Sequence, residues 1–166
     1  PWQSGTEELV IGRVKNLMEH PGGEGNLDPK DALNSIRPAE GLEVELVACE
    51  PLIQDPVNIA FGPDGKLWVA EMGDYPLGMD GKGAPGGRVR YLEDTDSDGI
   101  FDKSTLFLDG LKHTTGVHPW GKGVIVSSCP EVFYAESETG SGPATKRMTI
   151  LKNFGQGNPQ HVVNGF

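Results

Sequence analysis

A set of residues recurring at a fixed interval constrains this chain more than any other feature. Val89, Tyr91, Glu93, Gly99, Lys103 and Leu108 return as Val132, Tyr134, Glu136, Gly142, Lys146 and Leu151, each 43 residues later. A period of about 40–50 residues carrying four short strands is the pattern of a β-propeller blade, whose sheet is buried between its neighbours. The strand pair ahead repeats too, Leu67-Trp68-Val69 against Val124-Ile125-Val126, but at an offset of 57. The additional 14 residues are an insertion in the first copy, the Gly-rich stretch around Asp74 to Gly87.

Short alternating runs predict strands at about 43–48, 57–61, 66–71, 88–92, 105–109, 115–119, 123–127, 131–135 and 148–152. The 24 glycines and 13 prolines suit many turns, of which Gly62-Pro63-Asp64-Gly65 is the clearest. Residues 6–20 read as an amphipathic helix capped by Thr6, and Asp28-Pro29 opens a second helix through about Ile36. The expected architecture is all-β: a helical appendage over 1–40, then a partial β-propeller over 41–166. That second region holds about two four-stranded blades with flanking strands, from a six- or seven-bladed ring. Closure takes typically about four to eight blades, so two would leave apolar faces open. The chain is therefore expected to be a piece of a longer protein, with 43–48 completing the last blade, or else a ring assembles from several copies.

Between two of the strands, Asp94, Asp96, Asp98 and Asp102 stand at relative positions 1, 3, 5 and 9, with Gly99 at position 6. Calcium takes about six to eight oxygens, and alternate aspartates on a loop reversing at glycine aim carboxylates inward. The predicted ligands are Asp94, Asp96, Asp98, the Ile100 carbonyl and Asp102. Position 12 is Thr105 rather than the bidentate glutamate of an EF-hand, so the expectation is a free-standing calcium loop. A solvated Asp/Gly turn without an ion is the plainer alternative. In the second copy Ser137, Thr139, Ser141 and Thr145 replace the four aspartates while Gly142 is kept, which predicts one calcium loop and not two.

A formal net charge of −10 argues against binding nucleic acid or an anionic membrane surface through bulk electrostatics. No apolar run reaches the length of a transmembrane helix, so no membrane insertion by this segment is expected. Cys49 and Cys129 form neither a metal-type pair nor a haem attachment motif, and a disulfide between them stays open.

Glu43 to Ala48, Gly62-Pro63-Asp64-Gly65-Lys66-Leu67-Trp68-Val69-Ala70-Glu71-Met72, Asp74-Tyr75-Pro76, Phe133-Tyr134-Ala135-Glu136 and Gln160-His161-Val162-Val163-Asn164-Gly165 together carry a resemblance. Over about 41–166 the chain resembles the N-terminal propeller region of proteins named membrane-bound dehydrogenases in planctomycetes and verrucomicrobia. That family is more distantly similar to soluble quinoprotein sugar dehydrogenases, six-bladed propellers that use pyrroloquinoline quinone (PQQ) and calcium. The resemblance implies oxidation of a sugar or other alcohol, an extracytoplasmic (periplasmic or cell-envelope) location, and a cytochrome c module elsewhere in the parent protein. It also implies a general-base role for His161, an imidazole being well suited to taking a hydroxyl proton near neutrality. A histidine bonded to loop backbone is the plainer reading.

In a propeller the loop between third and fourth strands lies on the opposite face from the pocket, which makes the calcium structural. Glu71, Asp74, Tyr75 and His113 would collect with His161 on the pocket face, or else cap strand ends and order the insertion. Three functions remain open: a quinoprotein-type dehydrogenase, a non-catalytic calcium-stabilised scaffold binding glycan or protein, and a lactonase-like hydrolase.

Overall fold

A computed structural model describes residues 27–164. The helix expected over 6–20 lies outside the described residues. The chain divides into two compact units, Pro1–Leu46 and Val47–Phe166.

In the first unit, α1 (Pro29–Ser35) forms where Asp28-Pro29 predicts a start. The Asp28 carboxylate accepts from the Lys30 amide at 2.9 Å, and proline at the first helical position loses no hydrogen bond. The helix stops as Ile36 turns extended, one residue before the Arg37-Pro38 pair that disfavours helical backbone.

The second unit is built from β1 (Pro56–Phe61), β2 (Leu67–Met72), β3 (Gly87–Glu93), β4 (Lys103–Leu111), β5 (Thr114–Trp120), β6 (Gly123–Ser128), β7 (Glu131–Glu136) and β8 (Lys146–Leu151). They make two open antiparallel sheets, β1-β2-β3-β4 and β5-β6-β7-β8, and neither closes into a barrel. Eight of the expected strands are thus present. The ninth is not: residues 43–48 carry no strand. Glu43-Val44-Glu45-Leu46 alternates as an edge strand would, but a strand needs successive rungs with a neighbour. What this segment supplies is the Val47 carbonyl, which accepts from the Phe101 amide at 2.9 Å.

The repeat in sequence is a repeat in packing. On one face of the first sheet Leu67, Val69 and Leu92, joined by Phe101 from the loop after β3, meet Ala48, Leu52 and Ile53. On its other face Trp68, Ala70, Val89, Tyr91 and Phe107 meet Val117, Val124, Val126, Phe133 and Ala135 of the second sheet. Val124 and Val126 are the counterparts of Leu67 and Val69, so both sheets use the same face toward what precedes them. The Trp68 ring stands edge-on to Phe107, with centroids 4.8 Å apart, which anchors this layer.

Backbone bonds repeat in the same way. Asp102 donates its amide to the Glu93 carbonyl at 3.2 Å, and Thr145 donates to Glu136 at 2.9 Å. Phe101 donates to Val47, and its counterpart Ala144 donates to Phe107, both at 2.9 Å. Val47 therefore stands where the outermost strand of a preceding sheet would stand. The face that the second sheet turns away is open, with Trp120 64% and Met148 61% exposed.

Each sheet being an antiparallel meander, its loops sort to two ends. One end carries the turns 62–66 and 121–122 and the loops 94–102 and 137–145. The other carries the insertion 73–86, the connections 112–113 and 129–130, and the segment after Leu151. No helix among the described residues is long and apolar enough to cross a membrane.

Candidate functional site

The loop 94–102 brings three of the predicted ligands together. Asp94, Asp96 and Asp98 each place a carboxylate oxygen within 4.8 Å of the others, Asp94 half-buried and the other two exposed. Left-handed backbone at Ser97 and Gly99, with φ of 63° and 91°, turns the chain so that alternate side chains converge. Asp94 organises the turn by accepting from the Ser97 amide at 2.7 Å and the Gly99 amide at 2.9 Å. The Gly99 amide, ahead of those of Ser97 and Asp98, holds the Asp94 carboxyl below its ordinary value of 3.8. Asp98 accepts from the Ile100 amide at 2.8 Å. Three carboxylates so close repel one another, and a hard cation between them would relieve that.

Asp102 stands apart from this trio. Its two oxygens accept from the Thr95 amide at 3.1 Å and the Thr95 hydroxyl at 2.6 Å. The second copy explains why: the Thr145 hydroxyl oxygen accepts from the Glu138 amide at 3.0 Å, the same bond at the same place. Position 9 closes the loop in both copies. Thr105, at position 12, lies within β4. In the second loop Ser137 and Thr139 both donate to the Ser141 carbonyl, at 2.6 and 2.7 Å, so hydroxyls fill the space that carboxylates surround in the first.

The opposite end gathers Glu71, Asp74 and His113. Glu71 is 2% exposed and accepts from the Gln54 amide at 2.8 Å and the Arg90 guanidinium at 3.0 Å. It ties the chain entering β1 to the end of β2 and the middle of β3. Ser128, its counterpart, likewise bonds the chain entering β5, donating to the Lys112 carbonyl at 2.8 Å. The Asp74 carboxylate accepts from the His113 amide at 2.8 Å, fastening the insertion to the turn between the two sheets. His113 has φ of 44°, matched by 45° at Asp55 in the corresponding turn before β1.

Tyr75 is 47% exposed on the insertion, away from this buried group. His161 is exposed at the end of a single 3-10 turn, Pro159–His161, where its amide donates to the Asn158 carbonyl at 3.0 Å. That turn belongs to the same end, because the Val163 carbonyl accepts from the Thr115 hydroxyl at 2.5 Å and the Phe154 amide donates to Pro130. Sequence reasoning missed Arg90; its place opposite Val69 in the β2–β3 register, two rungs from Glu71, carries the signal only once that pairing is known. Cys49 and Cys129 are free thiols. Burial, offset in part by Lys112, pushes the Cys129 thiol up from its ordinary range.

No curated protein and no solved structure matches this chain. Residues 28–166 match the model of a family described as a domain of unknown function, and by that match the chain belongs to the DUF7133 family.

Proposed function

We propose that this chain forms two consecutive blades of a calcium-braced β-propeller, a scaffold that presents its insertion-bearing end to a sugar, another small alcohol or a glycan. The observation that carries the reading is the like-facing stack: the Leu67/Val69 face of one sheet and the Val124/Val126 face of the next both pack against what precedes them. Units stacked head to tail leave one different face open at each end, and a ring of further units covers both. The exposed residues fit, with Val57, Ile59 and Phe61 at one extremity and Trp120, Met148 and Ile150 at the other.

Calcium belongs at Asp94, Asp96 and Asp98, the trio that converges. An exposed loop with three carboxylates and no bidentate glutamate suits the weak range of extracellular modules, about 10⁻⁴–10⁻³ M. That supports an extracytoplasmic setting, in which the ion stiffens a hairpin remote from the ligand end. Isothermal titration of the chelator-treated chain with calcium tests this: one site of that affinity, lost in Asp96→Asn, is expected. Binding unaltered in Asp96→Asn would refute it.

A second reading, a PQQ-dependent sugar or alcohol dehydrogenase passing electrons to a cytochrome c module, rests on the family resemblance and on His161 lying at the insertion-bearing end. There His161 would accept the substrate hydroxyl proton. A quinone carrying carboxylates needs cations, and Arg88 and Arg90 are engaged by Asp109 and Glu71. This end also carries Lys82, Lys112 and Lys152, so that lysines together with His161 offer the quinone cations and a base. Dye reduction by sugars after loading with PQQ and calcium, abolished in His161→Gln, is its test.

A further inference from the structure

The end of the sheets remote from the aspartate loop buries three side-chain atoms that have no hydrogen-bond partner: Asp74 Oδ1, His113 Nδ1 and Thr114 Oγ1. Their residues are 1%, 6% and 0% exposed. Buried polar atoms are almost always paired, and an unpaired carboxylate oxygen is the most costly of them. A fourth such atom, Ser104 Oγ, lies apart in β4.

The three residues are neighbours. The other oxygen of Asp74 is bonded to the His113 amide at 2.8 Å, and Thr114 follows directly in the chain. Gly87 lies against one of them, since a Cβ there would sit 2.3 Å from Thr114 Oγ1; beside Gly86 and the Asp74 Cβ the ground is taken by Met79, whose Sδ a Cβ on Gly86 would meet at 2.4 Å. Any larger residue at Gly87 would collide with the Thr114 hydroxyl and crowd the Leu111 carbonyl.

We propose that Asp74, His113 and Thr114 hold a divalent transition-metal ion of the zinc or manganese kind. All three orphaned atoms can offer lone pairs, which one cation satisfies together. A cation also balances the buried carboxylate, which no cationic side chain pairs among the described residues; Arg88 and Arg90 of the adjoining β3 are held by Asp109 and Glu71. An imidazole nitrogen beside a carboxylate selects zinc or manganese over calcium, which prefers an all-oxygen shell. The ion joins the insertion, through Asp74, to the turn between the sheets, through His113 and Thr114.

The test uses the chain carrying Asp96→Asn, so that the aspartate loop is silent, stripped with chelator and titrated with Co²⁺ as a visible probe. One equivalent should bind with saturable d–d absorption and be displaced by Zn²⁺. His113→Gln should weaken binding at least tenfold. Thr114→Val, nearly the same shape and so expected to fold, should weaken it severalfold without lowering the melting temperature in chelator. Absence of saturable uptake by the Asp96→Asn chain, or uptake indifferent to both substitutions, would overturn the assignment and leave an ordered water in the gap. Calcium uptake by the unsubstituted chain reports separately on the aspartate loop.

Discussion

The Gly142 amide donates to the phenolic oxygen of Tyr91 at 2.8 Å, a bond from the loop of the second sheet to the third strand of the first. Its counterpart in the first copy, the Gly99 amide, is turned inward to Asp94. The same turn thus serves two ends, clasping a neighbour in one copy and shaping a carboxylate trio in the other. Tyr91→Phe leaves the Gly142 amide without its acceptor and is expected to destabilise the chain by about 1–2 kcal/mol. Denaturant unfolding reads this directly; a change near zero would mean that the bond is not formed in solution.

Calcium should stabilise this protein through the Asp94 loop. At a hundredfold excess over the dissociation constant the gain is about 2.7 kcal/mol. Asp96→Ala should remove that gain, lowering the melting temperature in calcium while barely changing it in chelator. Equal losses under both conditions would contradict a ligand role.

Asp94 also gives the stability a pH dependence. Its folded carboxyl lies below the ordinary 3.8, chiefly because of the Gly99 amide. The contribution is therefore complete above about that value and is lost as pH falls through the lower, folded one. A carbon-detected NMR titration without calcium should place the Asp94 midpoint below 3.8, and Asp94→Asn should flatten the acid limb of the stability curve.

Removing Glu71 should be costly. Glu71→Ala strips the Gln54 amide and the Arg90 guanidinium of their acceptor at a site 2% exposed, and a loss of about 3 kcal/mol is expected. Thermal unfolding followed by near-ultraviolet dichroism measures it. Arg90→Leu paired with Glu71→Leu should recover much of the loss, since an apolar pair leaves no stranded charge.

Cys129 should be inert. It is 3% exposed, its thiol is pushed up by burial, and it lies 3.3 Å from the Gly155 carbonyl. Iodoacetamide at neutral pH should modify it only after unfolding, and peptide mass mapping will show whether that order holds.

Eight strands were legible because alternation and turn residues are local, and the 43-residue recurrence joined them into two like sets. The expected strand over 43–48 failed because a strand's existence depends on a partner, and Glu43-Val44-Glu45-Leu46 carries the alternation without one. Asp94, Asp96 and Asp98 were legible from spacing. Asp102 fitted the same spacing, yet its oxygens are engaged by Thr95, a bond visible only when Thr145 is found accepting from Glu138 in the same way. Glu71 and Asp74 could be placed at a strand end from sequence. Their burial, and Arg90 as the partner of Glu71, required the register between β2 and β3.

The unlike faces of the stacked sheets bear on how the purified polypeptide will behave. A surface that recognises a copy of itself yields a twofold pair and then stops. Here the Trp120 face would recognise a different surface, the one bearing Ile59 and Phe61, so each addition renews the offer it consumes. Loose copies at high concentration should grow into circles or open strings of graded length, and a sharp dimer on a sizing column would be foreign to this design.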